Sequence, residues 1–144
     1  VQDRLSHPIL SGRITKQWDV FGGYTYIDPE LVDDGAGAND GNVVKFIAKN
    51  TFNLWTTYDV TQRINIGGGI NYVGSRWVDD ANTKRLPGYV RFDATAGYQV
   101  SENVDVRLNI QNLTNKTYYD ASHVGVFAVV APGRSALLSA SVRF

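Results

Sequence analysis

Two segments of the chain combine basic and aromatic side chains and are candidates for binding a ligand. Arginine and lysine supply positive charge, and tyrosine, tryptophan and phenylalanine supply flat faces for stacking. The same residue types also pack at the rims of a sheet, and both interpretations stay open for each position. The candidate binding residues are Arg76, Trp77 and Arg85 in the first segment, and Tyr118, Tyr119, His123, Phe127 and Arg134 in the second.

The sequence offers no set of residues for catalysis or for a resident metal. It contains two histidines, which lie on separate segments, and it has no cysteine or methionine. That leaves no base at a fixed place and no thiolate ligand. Asp33, Asp34, Asn39 and Asp40 carry oxygen ligands of the kind Ca²⁺ prefers, but without EF-hand spacing, and we interpret them as a solvated loop. We therefore expect a protein that is not an enzyme and holds no metal or cofactor of its own.

Composition narrows the class of protein further. The 144 residues include 14 basic and 14 acidic side chains, so the net charge is zero. A nucleic-acid partner would favour a basic balance, which argues against that function. No apolar run approaches the ~20 residues of a membrane helix. The 8 Tyr, 6 Phe and 3 Trp indicate a β-rich chain.

Apolar residues recur at every second position in about seven segments, which predicts antiparallel β-strands. The triplet Gly67-Gly68-Gly69 lies inside one of them without a following helix, so it indicates curvature or close backbone approach rather than a nucleotide site. Asn112 is expected to hydrogen-bond within the fold. The predicted strands are residues 5–15, 18–28, 43–58, 63–76, 89–100, 103–113 and 134–144.

The last predicted strand has the alternation typical of a transmembrane barrel. Leu138, Ala140, Val142 and Phe144 would face lipid and form the closing strand, while serines and Arg143 would face the lumen. Long connections at 29–42, 77–87 and 114–133 alternate with tight turns, and aromatics gather near both strand ends. This sorting predicts an up-and-down outer-membrane β-barrel with short periplasmic turns.

Seven strands is an odd number, and single-chain bacterial barrels have an even number. An open sheet would leave unpaired backbone groups in lipid. We therefore expect residues 1–144 to be part of a larger barrel. Two alternatives remain: a small stand-alone barrel with an eighth strand within 114–132 and a structural or adhesive role, and a soluble β-sandwich binding module.

Several motifs resemble the C-terminal end of TonB-dependent siderophore receptors, and among these receptors they are most similar to the catecholate type. They are LPGYVRFD at 86–93, NVDVRLNIQNLTNKTYY at 103–119, PGR at 132–134 and the Phe-terminated strand, with WDVFGGYTY at 18–26 and NLWTTY at 53–58 further upstream. The likeness covers about residues 11–144, whereas residues 1–10 fit the family poorly.

The resemblance implies a 22-stranded barrel whose lumen holds an N-terminal plug. At about 20 residues per strand, 22 strands need roughly 450 residues, so this chain would be the C-terminal part, without the plug. It also implies a bacterial outer-membrane location with lipid as a partner. Iron would enter only within a ferric siderophore bound by the extracellular loops, and the TonB energy-transducing complex would act through the plug.

Overall fold

The computed structural model describes residues 5–32, 35, 37–123 and 127–144. These residues form antiparallel β-structure, as the period-two pattern predicts. Within the described ranges, no helix is long and apolar enough to cross a membrane. The strands are β1 Leu5–Ser6, β2 Ile9–Thr15, β3 Trp18–Ile27, β4 Asn50–Asp59, β5 Ile64–Val73, β6 Arg76–Trp77, β7 Arg85–Leu86, β8 Tyr89–Ser101, β9 Val104–Gln111, β10 Tyr119–His123, β11 Phe127–Val130 and β12 Ser135–Val142.

The long strands form one meandering sheet in the order β1-β3-β4-β5-β8-β9-β12, with β2 also paired to β3. The strands β3, β4 and β5 each have 10 residues, the length that a tilted transmembrane strand needs. Short turns join β2 to β3, β4 to β5 and β8 to β9 at one end of the strands. Three long connections lie at the opposite end of the strands: loop 1 (residues 28–49), loop 2 (74–88) and loop 3 (112–134). The predicted alternation of loop length is confirmed.

The register places the apolar residues of neighbouring strands on one face. Leu54 pairs with Ile70, which pairs with Phe92. At the far side of the sheet Leu108 pairs with Leu138. Leu138 is 68% exposed, and no second layer covers this face among the residues that the structure describes. Such a face suits lipid and does not fit the soluble sandwich, whose two sheets would cover each other.

The opposite face is mostly polar. Close packing on this face accounts for two glycines of the triplet. A Cβ built on Gly69 would overlap the ring of Trp55, and one on Gly67 would lie 2.9 Å from Thr95 Cγ2. The close backbone approach predicted for this triplet is therefore confirmed at Gly67 and Gly69. Gly68 differs from both, because it lies on the apolar face.

Several predicted boundaries are wrong on the loop side. The third long strand begins at Asn50 and not at residue 43, since Phe46 has a φ of 65° that no strand accommodates. The fourth ends at Val73 and not at residue 76. Parts of loops 2 and 3 are ordered as the hairpins β6–β7 and β10–β11.

The closing strand pairs along its whole length with β9, as an antiparallel neighbour should. Ala140 pairs with Val106, and Val142 pairs with Val104. The strand ends at Val142, so Phe144 lies two residues beyond it and is fully exposed. In the described sheet β12 has no partner on its other side.

Candidate functional site

The three long loops form one connected layer at the end of the strands opposite the short turns. Loop 1 bonds to loop 2 where the Phe46 N–H donates to the Trp77 carbonyl at 2.7 Å. Loop 2 bonds to loop 3 where Arg76 Nη2 donates to the Tyr119 carbonyl at 3.0 Å. These bonds hold the basic and aromatic candidates of different loops near one another.

Asn82 fastens loop 1 to loop 2 with its side chain. Its Nδ2 donates to the Val43 carbonyl at 2.8 Å, and its Oδ1 accepts from the Val43 N–H at 2.8 Å. The amide thus pairs with Val43 as a neighbouring strand would. Asn82 has a φ of 54°, which asparagine tolerates better than most residues. A Lys45–Asp80 ion pair at 2.7 Å lies beside this contact, but both side chains are exposed, so it adds little.

The β6–β7 hairpin brings Trp77 and Arg85 together. They are Cα partners in the hairpin, and the Arg85 guanidinium carbon lies 5.2 Å from the centre of the Trp77 ring. This is a cation–π arrangement with a half-buried ring and an exposed charge. A cavity of about 210 Å³ adjoins the pair and is also lined by Lys49 and Tyr72. Positive charge and aromatic faces therefore border one hollow.

Arg76, beside this pair, is half-buried and faces the junction with loop 3. One of its guanidinium nitrogens bonds to the Tyr119 carbonyl. Its Nε is buried and has no hydrogen-bond partner among the described residues. The side chain therefore acts as a tie between loop 2 and loop 3.

Tyr118 is buried, unlike the exposed candidates Arg85, Phe127 and Arg134. It is 7% exposed and its ring lies 4.2 Å from that of Tyr89, with Ala131 in the same cluster. Its hydroxyl accepts a hydrogen bond from Arg91 Nη1 at 3.3 Å. Arg91 is held in turn by Asp93 at 2.9 Å. Tyr118 therefore supports loop 3 by packing, and its burial argues against its place among the ligand contacts.

The remaining candidates are spread over loop 3. Phe127 begins β11 and is 66% exposed. It is the Cα partner of His123, whose side chain lies outside the described part of the chain. Arg134 lies at the base of the loop, where its N–H donates to Asn115 Oδ1 at 2.8 Å. The structure does not bring Phe127 and Arg134 to the Trp77–Arg85 pair.

Asn112 holds the start of loop 3 in place. Its side chain is 1% exposed, its Nδ2 donates to the Lys116 carbonyl at 2.9 Å, and its Oδ1 accepts from the Lys116 N–H at 2.9 Å. The prediction that Asn112 hydrogen-bonds within the fold is confirmed. Its φ is 52°, as is that of Asn115.

The sequence patterns did not single out Asn82, and they included Arg91 and Asp93 only within the motif at 86–93. A signal for Asn82 exists, because asparagine in a polar loop is the residue type most tolerant of a positive φ after glycine. Within the described residues, no group of three or more acidic, histidine or cysteine side chains could hold a metal ion. Asp33 and Asp34 of the acidic loop lie outside those residues.

Comparison with known proteins identifies the type of sheet. Residues 9–113 match the family described as TonB dependent receptor-like, beta-barrel. The chain is 39% identical to the probable TonB-dependent siderophore receptor PiuA of Acinetobacter baumannii, over 94% of this chain and 20% of that protein. It is 32% identical to the catecholate siderophore receptor Fiu of Escherichia coli K12, over 94% of this chain and 19% of that protein.

Solved structures agree with this. The crystal structure of PiuA superimposes with a TM-score of 0.88 at 38% identity, covering 94% of this chain and 21% of that one. The closed form of Fiu gives a TM-score of 0.85 at 30% identity, over 99% of this chain and 21% of that one. The chain thus spans about a fifth of the length of these relatives. Members of the family are transport receptors of the bacterial outer membrane, and this chain belongs to the TonB-dependent receptor β-barrel family.

Proposed function

We propose that this chain is the C-terminal part of the barrel of an outer-membrane receptor that takes up a ferric siderophore in a TonB-dependent manner. The observation that carries the proposal is the 39% identity to the siderophore receptor PiuA over 94% of the chain. The sheet supports it, because an uncovered apolar face suits lipid, and lipid provides no partners for the backbone groups of an open sheet edge. Further strands and a plug, encoded elsewhere in the receptor, would complete the cylinder and fill it.

The loop layer is the part of the chain that would meet the iron chelate. A ferric catecholate is anionic and aromatic, so it is attracted by a guanidinium and stacks on an indole ring. The Arg85–Trp77 pair presents both groups next to one cavity. We place the first contact there.

The other candidates would extend this contact surface across loop 3. Phe127 and Tyr119 offer rings, and Arg134, Arg76 and His123 offer positive charge or hydrogen bonds. Iron is cargo in this scheme and reaches the protein only within its chelator. The energy for uptake would come from the TonB complex acting on the plug, while this chain contributes wall and loops.

The proposal is tested on the complete receptor that contains this chain. A bacterial strain without catecholate receptors of its own would express the receptor, and uptake of radioactive iron from a ferric catecholate would be measured with and without TonB. We expect TonB-dependent uptake. Absence of uptake for catecholate, hydroxamate and mixed chelates alike would contradict the receptor function.

Point variants then test the contact residues by equilibrium binding to cells. Trp77→Ala and Arg85→Ala should each weaken binding about three- to tenfold, the range of an exposed to partly desolvated cation–π contact. The binding affinity of Arg85→Lys should lie between those of the native receptor and Arg85→Ala, since lysine keeps the charge but lacks the flat guanidinium. Val60→Ala is the matched control and should bind normally, because Val60 is an exposed apolar residue in a short turn at the opposite end of the strands. Normal binding by both alanine variants would remove this pair from the site.

A further inference from the structure

Gly68 is a glycine for which the chain itself supplies no reason. A Cβ built there would meet only the Asp93 carbonyl oxygen at 3.6 Å, an ordinary contact. Its neighbours Gly67 and Gly69 are both required by close packing on the other face. Glycine is disfavoured inside strands, and where it occurs it often marks the approach of another molecule.

Gly68 forms the floor of an apolar groove on the membrane-facing side of the sheet. The groove has a volume of about 380 Å³, and its walls are Trp18, Thr56, Tyr58 and Ile66. The register places Gly68 between Thr56 and Ala94, in the same face as the lipid-facing residues. The groove is therefore continuous with the surface that an outer-membrane barrel presents to lipid.

Two polar groups in the walls of this groove, the Trp18 indole N–H and the Thr56 hydroxyl, are hydrogen-bonded within the sheet. Trp18 Nε1 donates to Thr56 Oγ1 at 2.7 Å, and the Thr56 hydroxyl donates to the Asp19 carbonyl at 3.1 Å. These bonds fix the indole ring in the wall of the groove. A largely apolar hollow whose indole N–H and threonine hydroxyl are already bonded favours a hydrocarbon chain over a polar ligand.

Its position suggests which lipid. The groove lies near the strand ends that carry the short turns, and in outer-membrane barrels these ends face the periplasm. Trp18 and Tyr58 belong to the aromatic belt that marks the level of the lipid headgroups. Lys16, in the turn two residues before Trp18, is exposed and forms no ion pair with the described residues. A lysine at this level attracts an anionic phosphate.

We propose that the groove over Gly68 is a binding site for one glycerophospholipid of the periplasmic leaflet, with an acyl chain between Trp18 and Ile66 and its phosphate near Lys16. The site rests on the outer-membrane location and not on ferric-siderophore uptake. Failure of the lipid test therefore leaves the transport proposal untouched, and failure of transport leaves the lipid site open to test.

The experiment is native mass spectrometry of the complete receptor, purified in a mild detergent and mixed with phosphatidylglycerol at increasing concentration. We expect one lipid to be retained by the native receptor. Gly68→Leu fills the groove and should reduce that retention at least tenfold. Gly12→Leu is the matched control: it lies on the same face, outside the groove, where a Cβ meets nothing within 4 Å. It should retain lipid normally.

Two additions keep the result interpretable. Gly68→Ala adds only the Cβ that the structure accommodates, so it should fold normally and lose part of the retention. Lys16→Gln should weaken retention about fivefold. Folding of each variant is checked by its mobility on unheated gels and by ferric-chelate binding, both expected to be unchanged. Retention by Gly68→Leu equal to the native receptor, equal loss with Gly12→Leu, or no retained lipid in the native receptor would overturn the proposal.

Discussion

Replacing Asn112 by alanine should release the start of loop 3 from the sheet. The side chain makes two hydrogen bonds at 2.9 Å to the backbone of Lys116, and it is 1% exposed. Each bond contributes about 1 kcal/mol. The φ of 52° adds about 1 kcal/mol, because alanine has no side-chain amide to offset a left-handed backbone. The expected loss is therefore about 3 kcal/mol.

Hydrogen exchange of the Ala131 amide, which donates to the Tyr118 carbonyl within loop 3, measures this loss in the complete receptor. At about 1.4 kcal/mol per factor of ten, its protection should fall about 100-fold. Asn112→Gly separates the two causes, since glycine accepts the backbone conformation but restores no hydrogen bond. It should lose about 2 kcal/mol, or roughly 30-fold in protection.

The neighbouring Asn115 provides the matched control. It has the same φ of 52° but accepts a single bond, from the Arg134 N–H, and it is exposed. Asn115→Ala should therefore disturb loop 3 less than Asn112→Ala. Equal effects of the two alanine variants, or a glycine variant of Asn112 as damaging as the alanine one, would refute the reasoning.

Three further predictions concern other contacts. Asn82→Ala should speed protease cleavage in loop 1 about tenfold or more, because loop 1 loses its side-chain tie to loop 2; unchanged cleavage would show that the backbone bonds suffice. Gly69→Val should lower the free energy of unfolding by about 2 kcal/mol or more in a urea titration, because the added side chain displaces the ring of Trp55. The Asp79 carboxylate accepts the Thr83 hydroxyl, which holds the Asp79 pKa below its ordinary 3.8. This contact should stabilise the turn above pH 3.8, and the stabilisation should be lost as the pH falls through the lowered pKa of Asp79 in the folded protein. The loss would be followed as acid-dependent chemical shifts in this turn, which Asp79→Asn should abolish.

The faces of the sheet could be predicted from the sequence, because a strand alternates its side chains and a slip of one residue would reverse every one of them. Leu54, Ile70 and Phe92 therefore had to share a face once each segment was a strand. The strand ends on the loop side could not be predicted. Residues 43–49 alternate as β4 does, yet the backbone of Val43 is taken by Asn82 and that of Phe46 by Trp77. These competing bonds come from distant sequence.

The candidate binding residues show the same limit. Tyr118 and Tyr119 are identical in type and adjacent, and composition cannot tell which is buried. Packing on Tyr89 and the bond from Arg91 place Tyr118 inside. The Trp77–Arg85 pair arises because the intervening residues form a hairpin, which the sequence interpretation treated as an unstructured loop.

The loop layer separates the groups that hold it together from the groups that it displays. Its ties are backbone bonds, the asparagine amides of Asn82 and Asn112, and the Arg76 guanidinium that bonds to the Tyr119 carbonyl. The Arg85 guanidinium and the Phe127 ring are exposed, and the described contacts include no hydrogen bond from the Arg85 side chain. Because the displayed groups contribute little to the scaffold, they can be exchanged without unfolding it. Under the proposed function, selectivity for a chelate should therefore be alterable at Arg85 and Phe127 while the same asparagines keep the loops in place.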